Sequence, residues 1–437
     1  MPKEKMSYYL YEVNVKVLSV EQNDAFDITE FVTELTVFSH FVDMVMPIVK
    51  FGFALNNDMY RTMQRESDTM YILLNVKRYK ANEGDLQRPG VFYDDFLKDL
   101  KIRLFDFPAR PAPERPKEEN DIGARAGTVP VTVYGFLDRH LNSNKMVYSG
   151  CYNECTMADV VMHHVGEVNK GEDEQLIRKL LFDKPDNNRT YGQVVVPPMN
   201  FTNILYYLQE VYGVYRCGIN LFHDFNRSYI LKLDGRGLTA FPKDEPWSYR
   251  SVSIEIYSVR SEKVDVMGFY RDKEGKSYLI RAGDNSKVTS NDTSVRELGG
   301  EVHKFINAGT DNLNFQTVQT AMLGAKNQNP EVANSTTPKE IIRYNRYDNP
   351  FVEEEYKFRQ SRELTAVQII FHGPDLDVFT PNRVYNLLYM EDEYKKRHNG
   401  KYRLDSMIYS FNKGGKEKYY SALAGCVFKK LLPEYSE

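Results

Sequence analysis

The chain is poor in the residues that staple folds and carry most catalytic chemistry. It has 4 cysteines and 8 histidines in 437 residues. Four thiols (Cys151, Cys155, Cys217, Cys426) are too sparse for a disulfide framework, and synthesis in a reducing cytoplasm is expected. No run of about 18 apolar residues occurs, so no transmembrane helix is expected. The opening MPKEKMSYYLYEVNV lacks an uninterrupted apolar stretch, so no secretory signal is expected either. An excess of positive charge is also missing: 57 Lys+Arg stand against 61 Asp+Glu, for a net charge of −4. That excludes a broadly basic nucleic-acid binder, though not a local basic patch. There is no G-x-S-x-G, P-loop or G-x-G-x-x-G sequence, and the glycines of GLTAFP and ELGGE read as turns.

What the chain does have is aromatic surface: 31 Tyr and 25 Phe beside a single Trp. Tyr and Phe suit strands and contact surfaces. The length allows two to four domains at roughly 100–200 residues each. The first third alternates with period two, as a half-buried strand does. Tyr9, Tyr11, Val13, Val15 and Val17 share one parity. So do Val49, Phe51, Phe53 and Leu55, then Met70, Ile72, Leu74 and Val76, then Val129, Val131 and Val133. Further strands are expected near 35–42 and 100–107. Six strands with little helix between them point to an antiparallel sandwich or barrel. Residues 80–99 are polar and mixed and interrupt this pattern. Residues 108–128 are rich in proline and charge and read as a protruding loop.

The period changes after Gly150. Met157, Val160, Val161, His164, Val165 and Val168 recur at helical spacing, with Thr156 and Asp159 as a capping box. A second helix carries Phe201, Ile204, Leu205, Leu208, Val211 and Tyr212, and Gly213 stops it. Two strands follow around a turn at Asn226. From Val252 strands return, ending in ELTAVQIIFHG, RVYNLLYM, GKYRLDSMIYSF and YYSALAGCVFKKL. Residues 283–350 are a polar insertion with a helix expected at NFQTVQTAMLGAK (314–326). The expected organisation is a first barrel at 1–149, an α+β module at 150–245, and a second barrel at 246–437. Similar strand counts in the two β parts suggest an internal duplication.

No residue emerges as catalytic, cofactor-binding or metal-binding. Cys151 and Cys155 precede His163 and His164, but a second tight ligand pair is missing, so they read as ordinary cysteines. His164 falls on the apolar stripe of its helix and reads as a core or interface histidine. His223 and Asp224 are neighbours in a strand and point to opposite faces, so they cannot form a dyad. Asp375 and Asp377 would share a face if extended, the arrangement of a glycoside-hydrolysing carboxylate pair. The preceding Gly–Pro favours a turn with two solvated acids instead.

The segment ITEFVTELTVFSHFVDMVMPIVKFGFAL, with Pro47, Ile48, Val49, Phe51 and Phe53, resembles the opening barrel of baseplate central hub proteins of contractile-tailed phages, relatives of the hub part of VgrG. The helix running into a strand hairpin at PPMNFTNILYYLQEVYGVYRCGINLFHDFNRSYIL, and the final hairpin, resemble that family too. The resemblance covers most of residues 8–240 and 360–432; residues 80–128 and 283–350 depart from it. It implies a mainly β fold with an inserted α+β module and two tube-type antiparallel β-barrel domains. It implies a structural role without enzyme activity: a homotrimer whose six barrels join a sixfold tail tube to a threefold spike. The implied partners are the tail tube or tube-initiator protein, the central spike, baseplate wedge proteins, a tape-measure protein and DNA in transit. The implied location is the virion tail baseplate, assembled in the host cytoplasm, without stable membrane insertion. Competing readings are a tube-initiator or distal tail protein, and a tail-associated cell-wall hydrolase.

Overall fold

The computed structural model describes residues 5–6, 8–19, 24–42, 44–65, 70–82, 85–105, 128–143, 145–170, 177, 179–233, 252–256, 266–271, 277–281, 289–290, 302–307, 315–319, 340–344, 348–352, 354–355, 366–381, 383–389, 399–413 and 418–431. The 108–127 stretch of the proline-rich segment lies outside the described residues.

The chain starts with β1 (Lys5–Met6), β2 (Tyr9–Ser19), β3 (Asp24–Asp27), β4 (Val32–His40), β5 (Ile48–Asn56), α1 (Asn57–Arg65), β6 (Met70–Asn82), β7 (Asp85–Phe105), β8 (Thr128–Leu137) and α2 (Asp138–Ser143). Next come β9 (Tyr148–Cys155), α3 (Met157–Val168), β10 (Leu181–Phe182), β11 (Tyr191–Met199), α4 (Phe201–Tyr212), β12 (Ile219–His223) and β13 (Ser228–Lys232). The last part holds β14 (Val252–Ile256), β15 (Val266–Arg271), β16 (Ser277–Arg281), β17 (Thr289–Ser290), β18 (Val302–Asn307), β19 (Phe315–Gln319), β20 (Glu340–Tyr344), β21 (Ala366–His372), β22 (Val384–Tyr389), β23 (Gly400–Lys413) and β24 (Tyr420–Lys430).

The fold is mainly β and barrel-like. Strands β23, β4, β5, β8, β7, β6, β2 and β24 pair in that order, and β24 pairs back to β23. All eight pairings of this closed ring are antiparallel. An eight-stranded barrel has an interior that side chains just fill. The alternating residues fill it: Tyr11, Val15, Val49, Phe51, Leu55, Ile72, Leu74 and Val133 are sealed from solvent. A second array runs β1, β16, β15, β14, β22, β23, β24, β21 and β17, and curls until β16 lies beside β21. Its pairings are antiparallel except β1–β16 and β14–β22.

Both arrays contain the hairpin β23–β24. The sequence assigns residues 400–430 to the second barrel alone, but they also complete the first ring. Beyond Asp405, β23 leaves β22 and pairs with β4. The change happens at a bulge between Leu404 and Ser406. An extra residue there switches which parity is buried: Tyr402 and Leu404 before it, Met407, Tyr409 and Phe411 after it.

The module packs α3 and α4 against the two-stranded sheet β9–β11 and the three-stranded sheet β10–β13–β12. The expected capping box forms, with the Asp159 amide donating to Thr156 Oγ1 and the Thr156 amide to Asp159 Oδ2. The helix faces agree with the spacing, except that Gln209 is buried in α4 and Val211 is only half-buried.

Two readings need correction. The polar stretch 80–99 does not interrupt the strands; β6 and β7 form one long hairpin through it. Its outer part has little buried face, so the alternation fades: Val91, Phe92 and Tyr93 are all exposed, and the register shifts repeatedly. The helix expected at 314–326 is instead strand over Phe315–Gln319, paired with β18 in a sheet that also takes β20. The run Phe315, Thr317, Val318 contains aromatic and β-branched residues that suit a strand.

Candidate functional site: the junction of ring, array and module

The candidate site lies where the ring, the second array and the α3–α4 part meet. On β6 the buried parity of Met70, Ile72, Leu74 and Val76 continues to Arg78, which is fully buried. An isolated buried guanidinium is expensive, so it must be paired and hydrogen-bonded. Asp94 on β7 takes it bidentately, with Nε and Nη2 at 2.9 and 2.7 Å. Asp375 accepts from Nη1 at 2.5 Å, and Asp377 lies 2.9 Å from Nη2. Tyr9, Tyr93 and Phe96 hold their rings 5.3, 4.8 and 5.4 Å from the guanidinium carbon, as cation–π partners do.

The Gly–Pro turn is present, as a 3-10 turn at Leu376–Val378 with Asp375 as its cap. The expected solvation is not: Asp375 is 2% exposed. Three carboxylates surround one cation there. Burial raises the Asp375 carboxyl to about 6, the Arg78 charge pulls the other way, and Asp377 adds to the rise. The surrounding carboxylates hold the Arg78 guanidinium well above its ordinary range. Tyr11 donates to the Pro374 carbonyl at 3.1 Å, which pins the same turn to β2.

A second charged knot sits at the β23 bulge. Asp405 receives Lys429 at 3.0 Å and Arg403 at 3.3 Å, and His40 lies 3.6 Å away. Its carbonyl accepts from the Phe41 amide at 2.9 Å. Arg403 reaches on to the Leu233 carbonyl of the module. One bulge thus joins the end of β4, the array and the module. The module also docks through Phe41 against Phe222, with ring centroids 4.8 Å apart, and through Arg139, which donates to the Phe225 carbonyl at 2.5 Å.

Between these knots is a cavity of about 540 Å³. Its walls include Asp94 and Phe96 from β7, Asp224 and Arg227 from the β12–β13 turn, Asp377, and Tyr409.

The other residues singled out by sequence do not converge here. Cys151 is exposed and accepts from Gln193 Nε2 at 3.1 Å. Cys155 is buried, which pushes its thiol up. His164 is buried, with Nε2 3.0 Å from the Tyr152 hydroxyl; burial, then His163, pull it down to about 4. Among the described residues no group of three or more His, Cys, Asp or Glu could hold a metal. His223 Nδ1 meets Ser228 Oγ at 2.9 Å, while the Asp224 carboxylate accepts from the Phe225 amide at 2.8 Å, so the two do not pair.

Arg78 and Asp405 were missed in the sequence. Arg78 had a signal, since it extends an apolar parity. Asp405 had none, because its role exists only at the bulge where β23 passes from β22 to β4, a strand far away in the sequence.

A β-ring whose closing hairpin is shared with a second array, with helices α3 and α4 packed beside them, defines a barrel-type, mainly β protein. The family model described as Bacteriophage PBS1 gene 109 protein matches residues 1–430, and the chain belongs to that family. No curated protein matches the sequence. Among solved structures, the chain is similar to the tail protein from Neisseria meningitidis MC58, at 9% identity, covering 96% of each chain with a TM-score of 0.48. It is similar to the prophage MuSo2 43 kDa tail protein from Shewanella oneidensis, at 9% identity over 98% of this chain and 100% of that one, TM-score 0.47. It is also similar to a chain of the Francisella PdpA-VgrG complex, at 9% identity over 96% of this chain and 53% of that one, TM-score 0.44. The resemblance to a phage protein read in the sequence agrees with this family match.

Proposed function

We propose that the chain is the central hub of a phage tail baseplate, a homotrimer that adapts the sixfold tail tube to a threefold central spike. The observation that carries this reading is the shared hairpin β23–β24, which fuses two barrel-like arrays in one chain. Three copies of such a chain supply six barrel units around a threefold axis. One face of that ring matches a sixfold tube and the other a threefold spike. Membership of a bacteriophage family supports the setting. The division into two tube-type units and an inserted module belongs to the same proposal, with 400–430 contributing to both units.

The partners follow from the geometry of the job: tube or tube-initiator protein above, spike below, wedge proteins outside. Tape-measure protein and DNA would pass through a lumen that is polar and not strongly basic. A lysine-lined channel would arrest DNA through counterion release. The acid pair considered for cell-wall hydrolysis is engaged with Arg78 instead, which favours the structural reading.

The experiment is an oligomer-mass measurement combined with zymography on bacterial cell wall. A trimer without clearing is expected. A hexamer would favour the tube-initiator reading. Clearing that disappears on mutating one acid would favour the hydrolase.

A further inference from the structure

Residues 348–352 and 354–355 lie far along the chain from the α3–α4 module, yet they meet its surface at several points. The last turn of α4 leaves carbonyls without intrahelical partners. Asn349 Nδ2 donates to one of them, Glu210 O, at 2.6 Å, and to Gln209 O at 3.0 Å, which also accepts from the Gly213 amide at 3.1 Å. The same Asn349 accepts from the Phe351 amide at 2.9 Å, which turns the segment back on itself. Tyr191 of β11 donates to the Asp348 carbonyl at 2.6 Å. Phe351 is buried, with the Arg216 guanidinium 5.4 Å from its ring centre. Glu355 closes the segment: it is buried and accepts from Gln209 Nε2 at 2.6 Å.

The receiving surface is shaped for these side chains. Gly213 and Gly218 have φ of +70° and +96°. A Cβ on Gly213 would stand 2.2 Å from Asn349 Oδ1, and one on Gly218 would stand 3.1 Å from Glu355 Oε1. Gln209 is fixed for its role by two further bonds to the Tyr215 backbone, at 2.8 and 2.9 Å. Helix end, two glycine notches, Arg216 and Gln209 together read a short peptide: an asparagine, a phenylalanine two residues on, and a glutamate four residues after that.

We infer that the C-terminal end of α4 is a peptide-binding site, and that its ligand is the chain's own 348–355 segment, recognised as a self-sufficient linear motif. The segment acts as an intramolecular latch that ties the module to the chain entering β21. A tethered ligand competes at an effective concentration in the millimolar range, so the site is filled in the native chain.

The test uses the full-length chain and a fluorescent peptide, DNPFVEEE. The N349A/F351A double variant should bind the peptide saturably, at least about 10-fold tighter than the wild type does. A peptide with Asn replaced by Ala should not bind. A double variant that keeps wild-type circular dichroism but shows no peptide binding overturns the inference. If that variant does not fold, the wild type decides. Excess unlabelled peptide should displace the latch and speed hydrogen exchange at the Phe351 and Glu355 amides. Unchanged exchange at several millimolar peptide also overturns it.

Discussion

Arg78 shows how one residue can set the energetics of a junction. Its charge is buried and compensated by three carboxylates from two distant parts of the chain. Breaking such a cluster leaves uncompensated buried charge. We predict that Arg78→Ala costs about 3–5 kcal/mol of stability, read as a lower denaturation midpoint in urea. Asp375 should behave differently. Its folded pKa is raised to about 6, above the ordinary 3.8, so the folded state binds the extra proton between those values. Its contribution to stability is fully present below about pH 4 and is lost as pH rises through about 6. Asp375→Asn cannot titrate. The stability of the wild type relative to this variant should therefore fall between pH 4 and pH 7, and a flat difference would contradict the assignment. His164 works with the opposite sign. Its pKa is pulled down to about 4, so its contribution is lost as pH falls from about 6.5 toward 4. In His164→Gln, that acid-side loss should be reduced in urea melts taken across the same range.

At the scale of elements, bulges and caps decide where strands and helices go. Asp405 occupies the bulge that hands β23 from β22 to β4 and carries contacts from Lys429, Arg403 and His40. Asp405→Ala removes the buried carboxylate that Arg403, Lys429 and His40 share, so a loss of about 3–5 kcal/mol is expected in the same urea assay. Thr156→Ala removes only the α3 cap and should cost about 1 kcal/mol. Much of this level was readable in advance. The buried parities of β2, β5 and β6 and the face of α3 follow directly from side-chain period, because each element has one face on a core. The outer half of the β6–β7 hairpin was not readable, because strands with little buried face lose their alternation. Asp375 was misread for a related reason. A Gly–Pro turn usually projects into water, and nothing local in the sequence shows that Arg78, 297 positions away, is waiting beneath it. The sharing of β23–β24 between two arrays was equally hidden, since pairing partners are a property of the closed ring and not of the strand.

At the scale of the whole molecule, the proposed hub role is one of symmetry matching. In the proposed hub, three copies of a chain carrying two barrel-like arrays on a common hairpin would present six units, and the work would lie in surfaces more than in a reactive centre. The exposed aromatics of the long hairpin and of the ring wall, including Phe92, Phe105 and Tyr134, are the type of residue that such contacts use. Obligate interfaces of this kind bury on the order of 2,000–5,000 Å² and hold at low concentration. The most direct test is the mass of the purified full-length chain in solution at micromolar concentration, by light scattering or native mass spectrometry. The account predicts a species three times the 50.9 kDa chain mass that persists on dilution. A stable monomer under those conditions would contradict it.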